Sequence, residues 1–568
     1  MTQTERHKPG NKSFLVVFFV ILFIFSFWLM FSTFGYDAKT QEILLDSRLW
    51  SDFGAHLPLI RSFSLGDNLV RLMHFQPPQS PLFSGEPIRY HFLFYALVGV
   101  LERLGLRLDW ALNLPSALGF FLMLVLLYAI SYKLFTNCWV SFLSVLLALF
   151  NGSLSFLYFF QKSPLSLSSL NEIVTNSHFA SFGPWDGRLV SAFWSLNIYT
   201  NQRHLAPSFA LGLLVIYLAF SPIHKDRNKR PTLTRQLTGG LMLGLLWGML
   251  IFTNLAVAGA VGIFLAWFFL IKKEFRLRFL LVLPVLLSCY LLYRFFTLPS
   301  GPITFDPGYL VAKPLNLLSF LRYWIYNLGF SVILIPLGLF FSSPKIRWLL
   351  ALPLLILFLI PNLFRFSPDM INNHKFFNFF LLFGNIFSAY AILCIFKQFN
   401  NITIKQLRKL LKFMVSLGLI GSLTLSGFID FFPILNDYQM TLPDYPASQD
   451  VEFFRSNTTP DAVILNSTWL YHPASLAGRR IFNGYSYFTW SYGYDQTARE
   501  AVTKLIYQAE SHQALCQLCQ KNRLDYVELN DHPEPFLTPN WPLWLSLPTV
   551  YQSSASGMRV YAVGMICS

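Results

Sequence analysis

Apolar runs close to the length needed to cross a bilayer recur from Phe14 to Phe432, and no other feature restricts the fold of this chain so severely. A helix rises about 1.5 Å per residue, so about 20 apolar residues cross the roughly 30 Å of hydrocarbon. Within that layer every backbone amide must find its partner inside its own segment, which leaves helices as the economical solution. The chain therefore reads as a polytopic α-helical membrane protein. Only 12% of its 568 residues are charged and 54% are hydrophobic, too little charge to clothe a water-soluble protein of this size. The formal charge of +15 is not a nucleic-acid signature. Its cations stand in short loops between apolar runs, as the positive-inside rule requires.

Those loops set the expected topology. They are the N-terminus with Arg6, Lys8 and Lys12, then Lys133, "HKDRNKRPTLTR" (224–235), "KKEFRLR" (272–278), "SPKIR" (343–347) and "KQFNNITIKQLRKLLK" (397–412). Placing all of them in the cytoplasm gives about eleven crossings. These lie near 14–34, 111–130, 139–160, 205–221, 237–253, 254–271, 279–297, 325–341, 348–361, 376–396 and 413–432. The first run, "SFLVVFFVILFIFSFWLMFSTF", is long and has no Ala-x-Ala cleavage site, so it reads as an uncleaved span. "YHFLFYALVGVLERLG" (90–105) is short, ends in Glu102 and Arg103, and would invert every later loop if it crossed. It is expected on the outer face as an interfacial helix. Residues 1–433 thus form the transmembrane domain, with 35–110 one large outer loop and 161–204, 298–324 and 362–375 the others. From 434 to 568 the chain turns polar and alternates strand-like pieces ("AVILN", "LDYVELN", "MRVYAV") with helix-like ones ("SQDVEFFRSN", "DQTAREAVTKLIYQAE"). That pattern predicts an extracytoplasmic α/β domain.

The first outer loop carries the strongest chemical candidate. In "LLDSRLWSDFGAHLPLIRSFSLGDN" (44–68), Ser51 is placed to cap a helix whose first turn holds Asp52, with His56 one turn on. Leu57, Ile60 and Phe63 follow at spacings that favour one apolar face. A capping acid on an amphipathic helix is the plain reading. However, an ionisable group held against a membrane span is a functional candidate by default. Asp46, ahead of the helix, is expected to tolerate neutralisation better. Other candidates stand at the outer ends of later spans: Glu172, Asp186 and Arg188, then Gln202, Arg203 and His204, then Asp369, His374 and Lys375. Arg203 and Lys375 suit an anionic phosphate near the outer surface, and both also suit plain interfacial anchoring. His56, His74, His91, His178, His204 and His374 all fall in outer loops, although no spacing among them enforces a metal site.

A first span, an outer loop opened by an acid on an amphipathic helix, Gly66 at that helix's end, a Pro-rich link and the second loop helix in "PLFSGEPIRYHFLFYAL" together resemble the GT-C superfamily of membrane glycosyltransferases. Protein O-mannosyltransferases and lipid A aminoarabinose transferases belong to it. The family's loop helix opens with Asp-Glu or a similar pair, whereas this chain has Asp52-Phe53. The resemblance implies transfer of a sugar from a polyprenyl-phosphate donor to a glycan, lipid or protein acceptor at the outer face. Asp52 would be the general base, and His56, His91, Asp186, Arg203, His204 and Lys375 would bind substrate. Membrane lipids are implied partners. No cofactor is firmly implied, and a divalent metal stays open because some GT-C enzymes use one.

Two further segments bear on function. "ASLAGRRIFNGYSYFTWSYGYDQTARE" (474–500) is rich in Gly and aromatics, which suit sugar rings as well as a packed core. "CQLC" (516–519) has redox spacing without a thioredoxin-like setting and reads as structural. The rival classes are a lipid-linked substrate flippase and a catalytically silent protein of the same fold. A flippase calls for charges inside the spans, yet here they collect on one face, with Arg294 and Asp430 close to span ends.

Overall fold

The computed structural model describes residues 12–150, 152–181, 188–220 and 232–568. The expected crossings fall on helices, although 139–160 is divided between Cys138–Leu149 and Ser155–Lys162 and 325–341 between Leu317–Leu328 and Ser331–Phe341. Seven among the described residues are long and apolar enough to span: Lys12–Thr33, Leu108–Phe135, Leu233–Thr253, Phe275–Phe296, Pro344–Leu363, Met370–Asn401 and Lys405–Leu435. Leu317–Leu328 and Ser331–Phe341 make an eighth only as a pair bent by 82°. The bend sits at Gly329, whose φ of +54° a side chain rarely adopts and where a Cβ would collide with the Gly152 carbonyl. Three shorter apolar helices, Cys138–Leu149, Leu205–Ala219 and Leu255–Ile271, occupy the remaining positions. The fold is a polytopic helical membrane domain with a sheet-containing C-terminal part.

Polar residues punctuate the apolar helices where the chain must turn. Buried Asn254 ends one helix and caps the next, its side chain accepting from the Val257 amide at 3.2 Å. On the face bearing the basic loops, cations bind the last-turn carbonyls that helices leave unsatisfied. Lys133 donates to Tyr217, Arg276 to Phe269 and Leu270, and Arg347 to Leu339 and Phe340. Positive charge there also complements the negative helix ends. Part of the 224–235 loop lies outside the described residues.

On the opposite face the outer loop and the C-terminal part are built into one another. Strand Glu42–Asp46 pairs antiparallel with Phe34–Asp37 on one side and with Gln439–Pro443 on the other, Ile43 facing Leu442 and Asp46 facing Gln439. Phe34, Phe53, Phe63, Tyr95 and Val98 share a single apolar core with Tyr471, Ala474, Ile481, Phe488 and Val560. Beyond this, the C-terminal part holds a five-stranded sheet in the spatial order Arg480–Ile481, Val463–Leu465, Tyr526–Leu529, Arg559–Ala562, Tyr551–Gln552, with the first three parallel. The three strand-like pieces read from sequence form its centre. Cys516 is bonded to Cys567 and not to Cys519, which is free and buried. The redox-like spacing therefore reflects one helix turn and nothing more.

The loop helix differs from its expectation in two respects. It runs Trp50–Ser64 behind a short turn Ser47–Leu49, so its N-cap is Leu49, without a side-chain bond, and Ser51 lies inside the first turn. Nor does it keep a wet face: Phe53 through Ser64 are all buried. The C-terminal part lies over the side expected to meet water, and a Cβ on Gly54 would strike Leu470 and touch Phe488. Helix Leu93–Arg103 packs against the loop helix at Gly99, where Phe63 Cβ and the Ile60 carbonyl leave no room for a side chain. Its 11 residues reach about 16 Å, half a bilayer core.

One buried ionic cluster locks these pieces. The fully buried Arg61 donates from one terminal nitrogen to both Asp444 oxygens, at 2.9 and 2.7 Å, and its other terminal nitrogen lies 3.2 Å from Glu102. Loop helix, second helix and C-terminal strand are thus tied at one guanidinium. Removing one partner of such a cluster strands a buried charge, at about 3–5 kcal/mol.

Candidate functional site

Asp52 occupies the third position of the loop helix, within reach of the positive helix end. Its carboxylate is half-buried and accepts no side-chain hydrogen bond from the protein. Burial raises its pKa from the usual carboxylate range to about 6, partly offset by the nearby positive charge of Lys375. Lys375 begins the helix His374–Gln398, is itself buried, and carries its ammonium 5.8 Å from the Tyr90 ring centre. The charges of Asp52 and Lys375 act on one another, and among the described residues no ion pair joins the two.

Histidines and tyrosines line the same space. The His91 and His204 rings are 4.3 Å apart, His56 and His204 6.2 Å, and Tyr90 lies 3.7 Å from His91. Tyr95 Oη is 2.8 Å from His204 Nδ1. His374 lies between Gln202 at 3.3 Å and Asn378 at 3.0 Å. Burial holds these loop histidines neutral: His56 is lowered to about 3, with Lys375 and Arg203 adding to the shift, while His91 and His204 fall well below the ordinary imidazole value. Among the described residues several polar atoms here have no hydrogen-bond partner, namely His56 Nδ1, His91 Nε2, His204 Nε2 and Gln202 Oε1. A buried polar atom left unpaired costs about 1–3 kcal/mol, so this concentration marks a place shaped for something polar.

The structure thus brings together Asp52, His56, His91, His204 and Lys375 from four separate stretches of chain. Arg203 does not join them. It is buried between the first span and helix Leu108–Phe135, donating to the Met30 carbonyl, Asn113 Oδ1 and Thr33 Oγ1 at 3.2, 3.2 and 2.8 Å. Its terminal nitrogens are thus engaged with the two helices, while its buried Nε has no hydrogen-bond partner among the described residues. Asp186 lies outside the described residues. Glu172 accepts from Ser168 Oγ in its own short helix, and His74 and His178 are exposed elsewhere. Asp46, expected to be a bland neighbour, is buried; desolvation and nearby Asp437 raise its pKa to about 8, against the pull of Arg203 and Arg48. Among the described residues no three His, Cys, Asp or Glu side chains are placed to hold a metal ion.

Other members of the site were hidden in sequence. Tyr90 and Tyr95 precede and open the second helix, and Tyr471, Tyr487 and Tyr492 come from the C-terminal part. The charge of Asp52 acts on all five phenols, together with burial, to raise their pKa values. Tyr487 Oη donates to Asp369 Oδ2 at 2.6 Å, joining the C-terminal part to the loop that precedes Lys375. The aromatic run 485–494 was the only sequence signal for this wall.

Spanning helices, two short helices from the first loop, one of them bearing Asp52, and an α/β part packed over them make up the architecture. Solved structures share it. The chain aligns with the oligosaccharyltransferase AglB of Archaeoglobus fulgidus, in a complex with an inhibitory peptide and a dolichol-phosphate, at TM-score 0.50 and 12% identity, over 91% of this chain and 69% of that one. The apo form of the Archaeoglobus fulgidus oligosaccharyltransferase gives TM-score 0.50 and 11% identity, covering 92% and 70%. ArnT from Cupriavidus metallidurans, in the apo state, gives TM-score 0.49 and 11% identity, covering 97% and 98%. At such identities the likeness is one of fold. No family model and no curated protein sequence matches the chain.

Proposed function

We propose that this protein is an integral-membrane glycosyltransferase that moves a sugar from a polyprenyl-phosphate donor to an acceptor hydroxyl at the outer face of the membrane. The observation that carries the reading is the grouping of Asp52, which makes no side-chain hydrogen bond among the described residues, with Lys375, Tyr90 and the packed rings of His56, His91 and His204. Asp52 takes the acceptor's proton as the new C–O bond forms at the anomeric carbon. The bond from that carbon to the donor phosphate breaks, and the bonding pair leaves with the phosphate. Lys375 meets the charge that grows there. The unpaired nitrogens of His56, His91 and His204 supply hydrogen bonds to sugar hydroxyls or phosphate oxygens. A lipid-phosphate partner agrees with the dolichol-phosphate in the AglB complex. The N-terminus and the 397–412 loop are assigned to the cytoplasm, and 434–568 to the outer side, where an oxidising compartment suits the Cys516–Cys567 bond.

Transfer is measured with the purified full chain in detergent and radiolabelled polyprenyl-phosphate sugars. Turnover, as acceptor glycosylation or slow donor hydrolysis, is expected from the wild type and lost in Asp52→Asn. Equal turnover by the two proteins would overturn the assignment.

A further inference from the structure

The geometry points to a sugar-ring platform built from Tyr492 of the C-terminal part and Tyr90 of the first loop, which would hold the donor's cyclic sugar against the cleft. This rests on the proposed glycosyl transfer and names the subsite for its sugar.

The two rings lie 4.9 Å apart at an angle of 36°, and both side chains are only half-buried although protein surrounds them. Tyr90 also borders the polar groups: His91 is 3.7 Å from its ring, His204 5.9 Å, and the Lys375 ammonium 5.8 Å. A phosphate held by Lys375 therefore carries its sugar directly onto this pair. The C–H groups of a sugar ring bear partial positive charge and are attracted to the negative face of an aromatic ring. No other described element brings ring faces so close to Lys375.

The wall is built to stay in place. Tyr492 ends the short helix Ser486–Ser491, where Phe488 packs on Gly54 of the loop helix two residues from Asp52. Tyr487 of the same helix is bonded to Asp369, six residues before Lys375. At Gly493, φ is +82° and a Cβ would collide with the Ser300 carbonyl, so the turn after Tyr492 fits tightly under the neighbouring loop. Base, cation and platform are thus linked through one helix of the C-terminal part. That part is then a component of the site and not an appendage, and it supplies the surface that tells a sugar-bearing lipid phosphate from a bare one.

The test uses full-length protein in detergent and compares binding of a polyprenyl-phosphate sugar with that of the same polyprenyl phosphate lacking the sugar. Wild type should prefer the sugar-bearing lipid. Tyr492→Leu, which keeps apolar bulk but not the ring face, should lose about three- to tenfold of that preference and leave affinity for the bare lipid unchanged. Tyr492→Phe, which keeps the face, should retain it. An unchanged preference in Tyr492→Leu, or equal loss for both lipids, overturns the platform and leaves glycosyl transfer standing. Binding of neither lipid by wild type overturns the proposed function itself, and the platform with it.

Discussion

Replacing Asp52 by Asn should abolish transfer and stabilise the protein at the same time. A carboxylate paired in a stabilising contact has its pKa held below the ordinary value. Asp52 is the reverse case, raised from 3.8 to about 6 by burial. Two pKa units correspond to roughly 3 kcal/mol at about 1.36 kcal/mol per unit. The sign follows from linkage. Because the folded-state pKa is the higher one, this group favours the fold fully below about pH 4. That contribution is lost as pH rises through about 6. Against it stands the attraction of the helix end for a negative charge at the third position, about 0.3–1 kcal/mol, which Asn gives up. Burial is the larger of the two. Asp52→Asn should therefore be more stable than wild type by about 1–3 kcal/mol at pH 8 and nearly equal to it at pH 4. The assay is the apparent unfolding midpoint in detergent at both pH values, beside transfer activity, expected to fall roughly a hundredfold or more. A variant less stable than wild type at pH 8 would show a structural acid and refute the reasoning.

In wild type, kcat/KM should rise with pH through about 6 and then level; a flat profile from pH 5 to 7 would remove Asp52 as base. Lys375→Met should weaken donor binding and, because Lys375 lowers the Asp52 pKa, move that acidic limb upward; an unmoved limb would separate the two groups. Asp46→Asn, which replaces an acid already pushed up to about 8 by burial, should keep activity, measured beside Asp52→Asn. Arg61→Ala should cost about 3–5 kcal/mol, read as a lowered unfolding midpoint. Alkylation of the unfolded, unreduced chain should reach four of six cysteines, Cys516 and Cys567 being protected; labelling of all six would exclude the bond.

The spans were legible because each is a local statement: a run of apolar residues must be a helix in lipid, whatever surrounds it. Asp52 and Lys375 were legible for a related reason, since ionisable residues at span ends are few. What sequence hid was pairing across distance. Nothing near Arg203 signals that its terminal nitrogens donate to Met30, Thr33 and Asn113 on two other helices. Hydropathy along the loop helix suggests one wet face, and that face is dry only because residues 470–488 fold over it. The tyrosine wall was visible as composition, yet its direction depends on a helix six residues long set against another segment.

The strand Glu42–Asp46 carries a consequence for how the molecule is made. One of its two ladders is closed by Gln439–Pro443, a partner synthesised after every span has been inserted. Until then one edge of the first loop presents unpaired amides and carbonyls, an open template for any other extended chain. The cleft beside it lacks its tyrosine wall through the same interval. A nascent or truncated chain can thus present Asp52 and Lys375 without the tyrosines that residues 471–492 set beside them.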